Sequence, residues 1–95
     1  MSYYPLQQQE GSMKYRNAPR PSVEYYEVPP DNWMSILDMI DSLKEWAIIK
    51  SNRPQDKERP YEVWIEGKHW NSCRTFQEAQ QSINEGETAW REGRL

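Results

Sequence analysis

The sequence has 95 residues, a formal net charge of −3 and a hydrophobic share of 36%, which together fit one small domain with a thin core. Five Trp and six Tyr offset the scarcity of Leu, Ile, Val and Phe, because each buried aromatic ring removes a large area from water. A single Cys excludes a disulfide framework, and the lack of a long apolar run argues against a membrane span or a secretory leader, so we expect a cytoplasmic protein without membrane contact.

Residues 1–28 have the composition of a flexible N-terminal tail rich in Tyr and Pro. Five of the seven prolines lie within the first 30 residues, and each proline removes a backbone donor and disfavours helix in the residue before it. Within this tail, residues 23–28 have strand propensity. We expect this segment to add an edge strand either to the sheet of its own domain or to the sheet of a partner.

A compact domain over residues 29–92 begins with a predicted helix over 32–47. Asp31 follows two prolines and is a good N-cap. Apolar side chains then recur at spacings of three and four, as on the buried face of a helix. They are Trp33, Ile36, Leu37, Ile40, Leu43 and Ala47. Residues 46–50 include a β-branched pair and also fit the start of a strand, but we favour the helix.

A β-hairpin is predicted over residues 61–74. Its first half alternates apolar side chains with others, which is the period of a half-buried strand. Gly67-Lys68 has the composition of a two-residue type II′ turn, with glycine at the first central position. In that register Ile65 lies opposite Trp70, and this side of the hairpin covers the core.

A second helix is predicted over residues 75–91. Thr75 and Glu78 have the spacing of a capping box, in which each side chain satisfies a free backbone N–H of the first turn. The apolar side of this helix consists of Phe76, Ala79, Ile83 and Trp90. Because Trp90 shares the phase of the others, we expect the helix to continue past Gly86.

These elements predict an α+β fold in which a small antiparallel sheet packs one face against two helices. The central hairpin forms the sheet, with a third strand from the N-terminal segment as an option. A two-stranded hairpin alone is marginal in water, and the cost of ordering the chain nearly cancels the gain from so few apolar side chains. We therefore expect a third strand, a homodimer or a partner to complete the core.

The sequence offers little for catalysis or metal binding. His69 and Cys73 are the only soft metal ligands, and because they are four positions apart in a predicted strand, roughly 13 Å separates them. One metal ion cannot bridge that distance, and the two side chains cannot form a nucleophile–base pair. We expect no enzyme activity, no metal and no cofactor.

Binding to another protein is the leading functional prediction. Tyr, Trp and Arg dominate the energetics of protein interfaces, and this short chain is rich in all three. The predicted contact residues are Trp64, His69, Tyr25, Tyr26 and Trp46. The sharpest of them is Trp64, which lies on the polar side of the predicted hairpin. We therefore expect a non-enzymatic binding module or small inhibitor that occupies a macromolecular surface.

The alternative prediction is a protein that binds single-stranded nucleic acid. Its basic, Tyr-rich tail offers Tyr15, Arg16 and Arg20 for base stacking and phosphate contacts. The sequence pI of about 5.2 opposes this alternative, because nucleic-acid-binding proteins usually carry a basic balance.

One pattern in the C-terminal half suggests a type of protein. Residues 61–90 combine strand, turn and strand with a capped helix that contains Gln77-Glu78-Ala79. In size and element order this third of the chain loosely resembles small bacteriophage proteins that inhibit host enzymes. The resemblance implies a viral or mobile-element protein that acts by inhibitory protein binding.

Overall fold

The computed structural model describes residues 17–95, so the predictions for Tyr15, Arg16 and most of the tail lie outside the described residues. The elements in chain order are β1 (Val23–Val28), α1 (Trp33–Leu43), β2 (Trp46–Ser51), β3 (Tyr61–Ile65), β4 (Lys68–Cys73) and α2 (Phe76–Arg91), with 3-10 turns at Pro30–Asn32 and Pro54–Asp56. The four strands lie in the order β1-β2-β3-β4. The fold is α+β, as the sequence predicts.

The sheet is mixed, whereas the sequence analysis expected an antiparallel one. β1 runs parallel to β2, with Val23 beside Trp46 and Val28 beside Ser51. The other two pairings are antiparallel. The parallel pair arises because α1 connects the ends of β1 and β2 as a crossover. The N-terminal segment thus supplies an edge strand to its own domain, which was one of the two expected outcomes.

The two helices pack on opposite faces of the sheet, and not on one face as expected. On one face α2 contributes Ile83 and Trp90 to a cluster with Ile48 of β2. On the other face α1 contributes Ile40 to a cluster with Ile49. Successive residues of a strand point to opposite faces, so the apolar run at the start of β2 supplies both clusters. A strand covered on both faces is typically a continuous apolar run.

The first helix is shorter than predicted. It ends at Leu43, and Lys44 adopts a left-handed conformation with φ 53°. The N–H of Glu45 then donates to the carbonyl oxygen of Ile40 at 3.1 Å, and the chain reverses into β2. Residues 46–50, for which we favoured helix, are therefore strand. Because the sequence carries Lys at the position where glycine usually marks the end of a helix, the end of α1 was not recognisable from the sequence.

The hairpin turn lies one residue earlier than predicted. Glu66 and Gly67 are the two loop residues, with φ of 52° and 78°, which is the type I′ geometry that matches the twist of the strands. Ile65 consequently pairs with Lys68, not with Trp70. Trp70, two residues after Lys68 in the strand, still packs against the α2-side cluster. Beyond a register shift between Val63 and Trp64, Cys73 pairs with Tyr61 and belongs to the same cluster.

Each helix covers about half of the sheet. A helix is roughly 10 Å wide and neighbouring strands lie about 4.8 Å apart, so one helix covers two of the four strands. α2 contacts β3 and β4, whereas the α1-side cluster is built mainly on β1 and β2. The α2 side of β1 and the α1 side of β4 are therefore the less covered parts of the sheet.

Candidate binding surfaces

A groove with an apolar floor lies between the edge strand β1 and helix α2. This β1–α2 groove has a volume of about 430 Å³. It is lined by Arg20, Val23, Glu24, Tyr25, Ile48, Phe76, Gln80, Ile83 and Asn84. Ile48 and Ile83 are buried and form its floor. The groove exists because α2 sits over the opposite half of the sheet.

Two aromatic rings form one end of the groove. Tyr25 is 48% exposed and Phe76 is 39% exposed. Their ring centroids lie 5.5 Å apart with the planes at 87°, an edge-to-face arrangement that is favourable for aromatic pairs. Tyr61 extends the row, with its ring 6.0 Å from that of Phe76. Partial burial, and then the charge of Glu27, raise the pKa of Tyr25, so its hydroxyl is neutral at physiological pH.

The other end of the groove is closed by polar contacts from the segment before β1. Arg20 Nη1 donates to Glu87 Oε1 at 3.0 Å and to Asn84 Oδ1 at 3.4 Å. Arg91 Nη1 donates to the carbonyl oxygen of Ala18 at 2.9 Å. These contacts fasten the chain to α2. Of the three residues predicted to contact nucleic acid, Arg20 is the one that lies within the described part of the chain. Its guanidinium is engaged by the carboxylate of Glu87 in the same chain.

A second surface lies on the α1 side of β3 and β4. Trp64 is half-buried, and its Nε1 donates to Glu62 Oε1 at 3.2 Å. The exposed ring of His69 lies edge-to-face with Trp64 at 5.4 Å between centroids. Its Nε2 lies 3.1 Å from Ser72 Oγ and 4.0 Å from Glu62 Oε1. The polar atoms of this cluster thus contact one another, and only part of its aromatic area faces water.

Tyr26 and Trp46 are less suited to contact a partner than predicted. The Tyr26 hydroxyl donates to Glu45 Oε1 at 2.7 Å, and this hydrogen bond raises the pKa of Tyr26 to about 12. Trp46 is only 1% exposed and packs edge-to-face on Trp90 with centroids 5.3 Å apart. It therefore belongs to the core, because the predicted helix that would have placed it at the surface is a strand covered on both faces.

The predicted contact residues do not form one surface. Tyr25 lines the groove on the α2 side, whereas Tyr26 and Trp64 pack on the α1 side. Phe76 is the main residue that the sequence analysis misplaced, since it was assigned to the apolar side of the last helix. It is the first residue of α2, directly after the Thr75 cap, and its ring stays exposed beside Tyr25 because α2 packs over β3 and β4.

The described residues offer little for metal or thiol chemistry. Residues 17–95 contain no group of three or more His, Cys, Asp or Glu side chains that could hold a metal ion. Cys73 is buried, and burial, with a further contribution from Glu78, raises the pKa of its thiol. A protonated thiol is a weak nucleophile.

No protein-family model, curated protein or solved structure matches this chain. Neither helix in the described part of the chain has the length and apolar character needed to cross a bilayer. The function proposed below therefore rests on the geometry of the chain's own residues.

Proposed function

We propose that this protein is a non-enzymatic protein-binding module that occupies a surface of its partner through the β1–α2 groove. The observation that carries the proposal is the pair Tyr25 and Phe76, two large and exposed aromatic side chains held edge to face beside an apolar floor. Aromatic residues supply much contact area at a small cost in side-chain entropy. Because each ring already restricts the other, little freedom remains to be lost on binding.

The size and lining of the groove support a contact of this kind. Its volume of about 430 Å³ lies in the range of sites that enclose a few apolar side chains or a small molecule. Its lining residues include no His, Cys, Ser or Lys, and its one acidic residue, Glu24, precedes Tyr25 in the strand and directs its carboxylate to the other face of the sheet. The groove therefore contains no adjacent nucleophile and general base. This composition favours binding over chemistry. Inhibition by occupying a macromolecular surface is the mode of action that we propose with it.

Site-specific photocrosslinking tests the proposal. The photoreactive amino acid p-benzoylphenylalanine is placed at Tyr25 and, as a control, at Met34, which is 67% exposed on α1. We expect protein adducts in host cells from position 25 and few from position 34. The variant Phe76→Ser should reduce the adducts of position 25 about tenfold, the effect of losing one good aromatic contact.

Two control measurements separate binding from folding. Thermal unfolding should show that Phe76→Ser and the exposed-site variant Met34→Ser are both folded, with the lower midpoint for Phe76→Ser because Phe76 is 39% exposed and Met34 67%. Equal adduct yields from positions 25 and 34 would contradict the proposal. So would adducts at position 25 that persist in full when Phe76 is replaced by Ser in a protein that remains folded.

A further inference from the structure

In the described part of the chain, residues 17–95, the outer side of the edge strand β1 is unpaired. Among residues 17–95, its one neighbour in the sheet is β2. The six residue pairs between these strands run one to one from Val23 to Val28, so β1 is a regular strand. Pro21 and Pro29 flank it and lie outside it. Every residue of β1 therefore keeps its N–H, and part of this backbone ladder points outward.

The opposite edge of the sheet differs from β1. The register shift between Val63 and Trp64 disrupts the pairing of β4 with its neighbour, and β4 begins with the exposed Lys68. Bulges and edge lysines are devices by which proteins prevent further strands from adding to a sheet. β1 has neither a bulge nor a lysine, and its exposed charges are the carboxylates of Glu24 and Glu27. It is therefore the better template for an added strand that is not acidic.

The charges along β1 indicate what kind of strand it would accept. Glu24 and Glu27 are exposed and, being three residues apart in a strand, they point to opposite faces of the sheet. Lys50 lies 3.7 Å from Glu27 and offsets part of its charge. Within residues 17–95, no ion pair offsets the charge of Glu24. A neighbouring strand with basic side chains on the Glu24 side would complement this edge.

We propose that β1 takes up an extended segment of the partner protein as a fifth strand, an inference that rests on the proposed function and specifies how the partner binds. Apolar side chains of that segment lie in the β1–α2 groove beside Tyr25. Its basic side chains lie on the other face, beside Glu24. Strand addition of this kind obtains affinity from backbone hydrogen bonds and specificity from alternate side chains.

The edge is already ordered for this role. The segment before β1 is held to α2 through Arg20 and Glu87, and the N–H of Asn52 donates to the carbonyl oxygen of Val28 at 3.3 Å at the other end. Both ends of the strand are therefore fixed before a partner arrives. Binding then orders mainly the incoming segment, which lowers the entropic cost of association.

Synthetic peptides test the inference on the full chain. The probe is a peptide of about nine residues in which Lys and Leu alternate, a typical strand length. Its first matched control has Glu for every Lys. Two further control peptides carry N-methyl groups on every second backbone amide. In one of them the Lys residues are methylated, and in the other the Leu residues. Binding is followed by backbone amide signals in NMR and by amide hydrogen exchange.

We expect the Lys-Leu peptide to shift the signals of residues 23–28 and to slow the exchange of their outward-facing amides. Only one of the two N-methylated peptides, the one whose methylated amides face β1, should bind about tenfold more weakly. In that peptide several hydrogen bonds, worth roughly 0.5–1.5 kcal/mol each, are removed. Glu24→Lys should weaken the Lys-Leu peptide and strengthen the Glu-Leu peptide. Glu58→Lys, an equal charge change in an exposed loop, should leave the preference unchanged.

Several outcomes would overturn strand addition. Equal affinity of the parent and both N-methylated peptides would show that backbone pairing is not involved, and the proposed function would survive if crosslinking at Tyr25 still succeeds. Protection of residues 23–28 without peptide, rising with protein concentration, would assign the edge to a second copy of the chain. Protection that does not depend on concentration would assign it to the chain itself. Absence of crosslinking at Tyr25 would instead remove the proposed function.

Discussion

The glycine in the middle of α2 sets how closely this helix approaches the sheet. A Cβ atom on Gly86 would lie 1.9 Å from Ile65 Cδ1, far inside contact distance, and 3.3 Å from Ile65 Cγ1. Alanine normally stabilises a helix interior by about 1 kcal/mol relative to glycine. Here the added methyl group must displace a side chain that is itself buried against α2, and overpacking of this kind costs roughly 1–3 kcal/mol.

We therefore expect Gly86→Ala to lower the free energy of unfolding by about 1 kcal/mol, where an exposed helical glycine would raise it by that amount. Ile65→Val removes the obstructing Cδ1 and alone costs about 0.5–1.5 kcal/mol. In that background the next contacts of the new methyl group are at 3.3 Å and 3.5 Å. Gly86→Ala should then be stabilising by about 1 kcal/mol, which gives a coupling of about 2 kcal/mol between the two sites.

Urea and thermal unfolding of the four proteins measure this coupling. Each 1 kcal/mol should correspond to a shift of about 4–8 °C in Tm for a domain of this size. Equal stabilisation by Gly86→Ala in both backgrounds would refute the reasoning, because it would mean that α2 does not approach Ile65 as closely as described. It would also place in doubt the position of the helix that forms one wall of the β1–α2 groove.

Three other substitutions test separate features. Lys44→Gly should raise the free energy of unfolding by about 0.5–1 kcal/mol, because Lys44 has φ 53°, whereas a helix continuing to residue 47 would make the same change destabilising. The pKa of Tyr26 is raised from 10.0 to about 12, so its contribution to stability is present below pH 10 and lost as the pH rises towards 12; urea midpoints should fall less over this range in Tyr26→Phe. Burial raises the pKa of Asp56, but hydrogen bonds from Ser51 and Arg53 outweigh it and leave this pKa below 3.8. The Asp56 carboxylate therefore contributes stability above the unfolded pKa, and this contribution is lost in acid. Between about pH 6 and pH 3 the variant Asp56→Asn should lose less stability than the native chain. Equal acid sensitivity of the two proteins would show that Ser51 and Arg53 do not stabilise the Asp56 carboxylate.

The second helix was predictable because its signals are local. Thr75 Oγ1 accepts a hydrogen bond from the N–H of Glu78 at 3.0 Å, as the capping box requires. Glu78 Oε1 in turn accepts from the N–H of Arg74. The helix continues past Gly86 to Arg91, because the apolar phase carries through the glycine. Each of these features depends on residues within a few positions of one another.

The features that sequence reasoning missed depend on distant contacts. Residues 46–50 are apolar in nearly every position, and such a run fits a helix as well as a strand buried on both faces. Residues 46–51 form a strand because β1 and β3 pair with them on either side. Likewise, the helical phase of Phe76 indicates burial, and only the offset of α2 over β3 and β4 leaves its ring exposed beside Tyr25.

The thin core expected from the sequence is completed in a way that the hydrophobic pattern did not reveal. The sequence offered three ways to complete a thin core, and β1 supplies one of them. β2 adds another strand from residues that had been assigned to a helix. Trp33, Trp46 and Trp90 are buried, while Trp64 and Trp70 are half-buried. Within residues 17–95 most aromatic side chains are thus packed into the fold, and the exposed ones are Tyr25 and Phe76.

The diagonal placement of the two helices has a consequence for how this molecule can be approached. The β1–α2 groove and the cluster of Trp64 and His69 lie on opposite faces and towards opposite edges of one thin sheet. Because they lie on opposite faces, a substitution in one of them replaces no side chain of the other. The two sites are therefore separable by mutation.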